Sequence, residues 1–234
     1  MNAVSAQKLE IAIANAAPVS ALMMRPPKAR ACYVLAHGAG AGMMHRSMEA
    51  IAVGLGERGI ATLRYQFPYM EKGSKRPDPP AVAHTTVRAA VAEAARCCAG
   101  LPLIAGGKSF GGRMTSQAQA IAPLRDVRGL VFVGFPLHPP EKPSDERARH
   151  LDDVRIPMLF LTGSRDEFAQ LHLLEPVIER LAPRATLHLV DDADHGLHVR
   201  ARSGRKDPEV RARAAATAAS WMGAVIMGML NQDW

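Results

Sequence analysis

The sequence predicts an α/β protein with one mostly parallel sheet and helices on both of its faces. Three observations predict this. Short apolar runs alternate with amphipathic stretches through most of the chain, without internal repeats or a linker-like break in composition. The run at 31–36, Ala-Cys-Tyr-Val-Leu-Ala, is almost wholly apolar, as a strand covered on both faces must be. Glycine-rich turns follow such runs directly, at 37–42 and around 107–111. A length of 234 residues suffices for one such domain, spanning 1–234, with a substantial core.

The elements follow in order. Leu9, Ile11 and Ile13 alternate along 8–13, the pattern of an edge strand, and 19–24 is a second short strand stopped by Pro26 and Pro27. The buried strand 31–36 comes next. A helix over 47–58 carries Met48, Ile51, Ala52 and Leu55 on one side and ends at Gly59, and 60–65 is a strand. Residues 66–80 form a long polar loop with four prolines, and a helix over 82–99 stops at Gly100. A strand at 103–105 leads through the glycine turn into a helix that ends at Pro123. Strand 129–133 precedes a proline-rich and then charged segment reaching Val154. Strand 158–162, helix 171–181, strand 186–190, a loop at 191–198 and a helix from 209 to 230 complete the chain. Such alternation implies right-handed crossovers, and in such sheets the chemistry gathers at the carboxyl ends of the strands.

Composition narrows the class. Apolar residues make up 48% and charged ones 22%, ordinary for a soluble globular protein, while scarce aromatics and abundant alanine predict helices packed through small faces. Three cysteines (Cys32, Cys97 and Cys98) have no metal-type spacing and read as reduced thiols, which points to a cytoplasmic protein without a zinc site. No secretory signal is expected at the N-terminus, and 214–230, interrupted by Gly223 and Gly228, falls short of a membrane span. Much of the formal net charge of +7 sits at Arg200, Arg202, Arg205, Lys206, Arg211 and Arg213. Without interleaved aromatics, that cluster reads as a solvated basic loop leading into a helix, so no nucleic-acid partner is expected.

The turn at 107–111, Gly-Lys-Ser-Phe-Gly, matches G-x-S-x-G in a strand–turn–helix context. A serine at such a turn is held in a sparsely populated backbone conformation, and Gly107 and Gly111 leave room for the turn to close and present the Ser109 hydroxyl. Gly-Lys-Ser also ends a Walker A motif, but that motif needs a glycine where Pro102 stands, so the phosphate-loop reading is rejected.

A serine hydroxyl needs a base, and the base a carboxylate to orient it. Asp166 follows Ser109 after one further strand and His195 after the next, all at strand ends. Rivals for the base are His198 and His188. Rivals for the acid are Asp194, Asp191, Asp192 and Glu167. His195 sits in Asp-Ala-Asp-His-Gly, a loop suited to reaching inward, and Asp194 is awkwardly placed to bond its neighbour's Nδ1. The expected oxyanion donors are the backbone N–H groups of Phe110 and, from His-Gly-Ala-Gly at 37–40, Ala39, with His37 a structural hydrogen-bonding residue. Lys108, Arg113, His138 and Arg147 could meet an acidic substrate group, though surface or structural roles explain each as well.

On HGAG at 37–40, GKSFG at 107–111, GSRDEF at 163–168 and DADHG at 192–196, the chain resembles the α/β-hydrolases. GGKSFGGR and FPLHPP resemble more narrowly the dienelactone-hydrolase-like branch, with relatives including a testis-expressed protein and a nuclear acetyltransferase-complex subunit. The resemblance implies an α/β-hydrolase fold and Ser109, Asp166 and His195 as a triad acting on a small ester or related acyl compound, with no cofactor and no metal. Dienelactone hydrolase itself uses a cysteine nucleophile, so its specific activity is not carried over to Ser109. The alternative it implies is a non-catalytic scaffold that binds a protein partner. The short segment between Val133 and Ile156 leaves no space for a large cap domain, so loops 66–80 and 134–150 are expected to cover the cleft.

Overall fold

The computed structural model describes residues 5–229. Eight strands form one sheet: β1 (Gln7–Ile11), β2 (Val19–Met24), β3 (Ala31–Ala36), β4 (Ile60–Tyr65), β5 (Leu103–Lys108), β6 (Val127–Val133), β7 (Met158–Gly163) and β8 (Ala185–Val190). Their spatial order is β1-β2-β4-β3-β5-β6-β7-β8. β1 pairs antiparallel with β2 and β2 antiparallel with β4, and every other pairing is parallel. The expected edge strand is at the edge, although it stops at Ile11 rather than Ile13.

Alternation along β3 divides the core. Cys32, Val34 and Ala36 face one apolar layer, and Ala31, Tyr33 and Leu35 face the other, every one of them buried. The first layer is covered by α3 (Pro80–Cys97), α4 (Phe110–Ile121) and α5 (Leu171–Arg180), the second by α1 (Arg46–Gly56) and α6 (Asp207–Ile226). Small residues do set the helix spacing: a Cβ on Gly54 of α1 would lie 2.9 Å from the Cβ of Ala215 on α6. α6 ends at Ile226, where Gly228 takes a left-handed φ of +69°. The helix expected to reach Leu230 is therefore shorter, and Leu230 itself lies outside the described residues.

Two stretches read as irregular carry short helices. Within 66–80, Pro68 opens α2 (Pro68–Glu71), where its missing N–H costs nothing, and the Asp78 carboxylate accepts the Tyr69 N–H at 2.9 Å. Pro80 likewise starts α3 two residues earlier than apolar periodicity suggests. The charged segment after β6 holds a 3₁₀ helix, Glu146–Asp153, and no large cap domain interrupts β6 and β7. Among the described residues, no helix is long and apolar enough to cross a membrane. Part of the basic cluster is ion-paired, Arg205 with Asp191 and Arg211 with Asp207.

Candidate active site

β5 delivers Ser109 to the carboxyl edge of the sheet, and α4 leaves immediately after it. Ser109 has φ 49° and ψ −118°, a left-handed conformation that a β-substituted residue adopts only under strain. The two glycines matter because of what the turn packs against. A Cβ on Gly107 (φ +153°) would collide with the Ala36 carbonyl, and one on Gly111 would lie 2.5 Å from the carbonyl oxygen of His37. The turn is wedged against the end of β3, so both positions exclude a side chain.

His195 reaches this turn from the loop after β8. Its Nε2 lies 2.9 Å from Ser109 Oγ, and its Nδ1 lies 2.9 and 2.8 Å from the two carboxylate oxygens of Asp166. The tautomer consistent with these contacts has Nδ1–H donating to Asp166 and Nε2 accepting from the serine hydroxyl. The Asp166 side chain is fully buried and also accepts the Phe168 N–H at 2.9 Å. Water has no access to replace those bonds.

The rivals are engaged elsewhere. Asp194 accepts the N–H groups of Gly196 (2.8 Å) and His198 (2.9 Å), folding the loop that carries His195. Asp191 pairs with Arg205, and Asp192 with Arg165 at 3.0 Å. Glu167 is solvent-exposed. His198 is largely exposed and paired with Asp207 at 2.8 Å, and His188 lies on β8.

Two supports escaped a reading of spacing alone. The Phe168 ring packs at a tilt against His195, centroids 4.4 Å apart, and Gly134 (φ +66°) backs the imidazole so closely that a Cβ there would lie 3.0 Å from Nδ1. Both fall in stretches with a visible pattern, GSRDEF and a glycine at the end of β6, but only the folded chain brings them to His195.

The loop 37–42 lies against the turn. A Cβ on Gly38 would sit 3.6 Å from Ser109 Cβ. His37 is fully buried and neutral in function: its Nδ1–H donates to the Gly38 carbonyl at 2.8 Å and its Nε2 accepts the Phe67 N–H at 3.0 Å. Burial lowers its pKa, which favours that neutral form. Because the peptide is planar, pinning the Gly38 carbonyl also fixes the direction of the Ala39 N–H. Among the described residues, neither the Ala39 nor the Phe110 N–H donates to another group of the chain. Phe110 N–H belongs to the first turn of α4, whose amides lack helical partners. The Phe110 ring packs edge-on against Phe67 (5.3 Å) and Tyr69 (6.2 Å), so loop 66–80 is seated on the residue that follows Ser109.

Lys108 is half-buried between β5 and the helices α1 and α6, and desolvation followed by the charge of Arg211 lowers its pKa. Among the described residues, no group of three or more His, Cys, Asp or Glu side chains is arranged to hold a metal ion.

A serine with positive φ at a strand-to-helix turn, bonded to a histidine that is bonded in turn to a buried aspartate, thus stands at the carboxyl edge of a mostly parallel sheet covered on both faces. A family model described as an alpha/beta hydrolase domain matches residues 29–223, and the chain belongs to that family. Solved structures agree on the fold. Dienelactone hydrolase from Anabaena variabilis is 19% identical, with a TM-score of 0.73 over 93% of this chain and 97% of that one. A serine hydrolase without a lid from Xanthomonas campestris is 19% identical, at 0.70 over 92% and 94%. The esterase domain of a Rhodothermus marinus protein is 15% identical, at 0.71 over 94% and 98%.

Proposed function

We propose that this protein is a serine hydrolase that cleaves a small ester or related acyl compound through an acyl-enzyme, the whole chain acting as one catalytic domain. The unbroken hydrogen-bonded series from Asp166 through His195 to Ser109 carries this reading. The Ser109 hydroxyl attacks the substrate carbonyl while His195 Nε2 takes its proton. Asp166 holds the imidazole in that tautomer and stabilises the imidazolium that forms. The negative charge developing on the carbonyl oxygen is met by the Ala39 and Phe110 N–H groups. His195 returns the proton to the departing alcohol, and the bond from the carbonyl carbon to that oxygen breaks. Water then attacks the acyl-enzyme with His195 again as base, releasing the acid and restoring Ser109. None of these steps calls on a metal or organic cofactor. Three free thiols fit a reducing, cytoplasmic setting.

The test is labelling by a fluorophosphonate together with turnover of short-chain nitrophenyl esters, in the native chain and in Ser109→Ala. Labelling and turnover confined to the native chain are expected. Equal labelling of both chains, or no labelling and no turnover in either, refutes the reading.

A further inference from the structure

The 3₁₀ helix Glu146–Asp153 packs against α4, and Arg147 on it lies close enough for its charge to act on Arg113 of α4. Arg113 lies one helical turn after Ser109, and helical side chains lean toward the N-terminus, here the end of α4 that carries Ser109. Its Cζ sits 6.0 Å from the centroid of the Phe110 ring, the residue whose N–H faces the cleft. Arg147 approaches from the 3₁₀ helix, which is fastened to α4 by a 2.8 Å hydrogen bond between His150 Nε2 and the buried Ser116 Oγ.

Neither arginine has a counter-charge. Among the described residues no carboxylate pairs with Arg113 or Arg147, and Arg113 Nε is buried without a hydrogen-bond partner. The carboxylates of the segment are committed elsewhere. Asp145 and Asp152 hold Arg180, and Glu146 holds Arg149. Asp153 lies near enough only to His150 to affect it. The surroundings also register the excess positive charge. Arg113 is lowered in pKa by burial and then by Arg147, and His150 is pushed down to about 4 by burial and then by Arg113 and His84. Two half-buried like charges with unused donors oppose folding unless an anion meets them.

We propose that Arg113 and Arg147 form an anion-recognising subsite of this cleft, so that the ester cleaved at Ser109 carries a carboxylate or phosphate group. The forked donors of two guanidiniums suit the oxygens of either anion. The proposal rests on the serine-hydrolase reading for the word substrate, but the binding it asserts can be measured without turnover.

The test uses matched esters. On the alcohol side, 4-acetoxybenzoate and 4-acetoxyphenyl phosphate are compared with neutral methyl 4-acetoxybenzoate. On the acyl side, monophenyl glutarate is compared with phenyl butyrate. A preference in kcat/KM of about tenfold or more for an anionic member of either set is expected, the worth of one charge-assisted hydrogen bond. The ranking of benzoate and phosphate identifies the anion. That ratio should fall toward one in Arg113→Gln and in Arg147→Gln, and invert in Arg147→Glu. Arg147 lies on the short 3₁₀ helix and not on α4, so its variants carry the test if Arg113→Gln does not fold. In parallel, calorimetric binding of the same esters to Ser109→Ala should show the anionic preference, and its loss when Arg147→Gln is added. Equal affinity for charged and neutral esters, or a preference that survives Arg147→Gln and Arg147→Glu, overturns the subsite. Absence of serine-dependent turnover in the native chain, with the binding preference intact, overturns the hydrolase reading and leaves the subsite standing.

Discussion

Asp166→Asn isolates orientation from every other contribution to the proposed mechanism. In the native chain both Asp166 oxygens face His195 Nδ1, and one also accepts the Phe168 N–H. An asparagine has the same shape but only one acceptor oxygen. If that oxygen keeps the Phe168 N–H, the new NH₂ faces Nδ1, which must then become the acceptor. The ring proton moves to Nε2 and faces Ser109 Oγ, where a base is required. Because the Asp166 side chain is fully buried, water cannot restore the original tautomer. The equivalent change in a serine-histidine-aspartate triad lowers kcat by about 10⁴-fold, a barrier increase of about 5 kcal/mol. The assay is kcat/KM on a short-chain nitrophenyl ester together with the rate of fluorophosphonate labelling, with thermal melting as the check on folding. Asp194→Asn is the control. Its side-chain oxygen can still accept the Gly196 and His198 amides, so a loss of less than about tenfold is expected there. An Asp166→Asn enzyme that melts normally and keeps kcat/KM within tenfold of the native value refutes the assignment of Asp166. Should Asp194→Asn be the damaging change, the acid has been misidentified.

Two further outcomes follow from the packing and the titration of the site region. Gly111→Ala drives a Cβ against the His37 carbonyl, which is backbone and cannot yield, so a loss of about 1–3 kcal/mol is expected. For a chain of this size, that appears as a fall in Tm of roughly 2–12 °C, and an unchanged Tm refutes the wedge of α4 against β3. His150 titrates at about 4 in the folded chain against an ordinary value of 6.5, so between these values the unfolded chain binds more protons and stability falls as pH falls. Its share is fully present above pH 6.5 and lost on descending through 6.5 toward 4, an effect of about 3 kcal/mol. Urea unfolding at pH 7 and 4.5 should show a smaller pH effect in His150→Gln than in the native chain, and an identical pH effect refutes the assignment.

Much of the architecture is readable from local patterns. The alternating faces of the first strand, the wholly apolar 31–36 run and the helices stopped by Gly59, Gly100 and Pro123 follow from rules that act over a few residues. Proline hid two helix starts: Pro68 and Pro80 look like breaks, yet each occupies the first helical position, where a missing N–H is harmless. The positions of Ser109, Asp166 and His195 at strand ends were also visible, because strand order and glycine turns leave a trace in one dimension. Adjacency to His195 already counted against Asp194 and favoured Asp166, but the physical ground for that choice was not visible. It depends on which carboxylate is buried and which is used to fold its own loop.

By itself, the sequence determined that this chain is a doubly covered α/β sheet with a serine on a strained turn, since periodicity and glycine placement are local properties. Only the tertiary structure decided why Gly107 and Gly111 cannot carry a side chain, for the obstacle is β3, some seventy residues earlier. It alone brought Phe168 and Gly134 to His195, and set Arg113 over the Phe110 ring while the carboxylates of the 3₁₀ segment pair with other arginines. Charge compensation and steric exclusion are set by distance in space, and separation along the chain does not encode them.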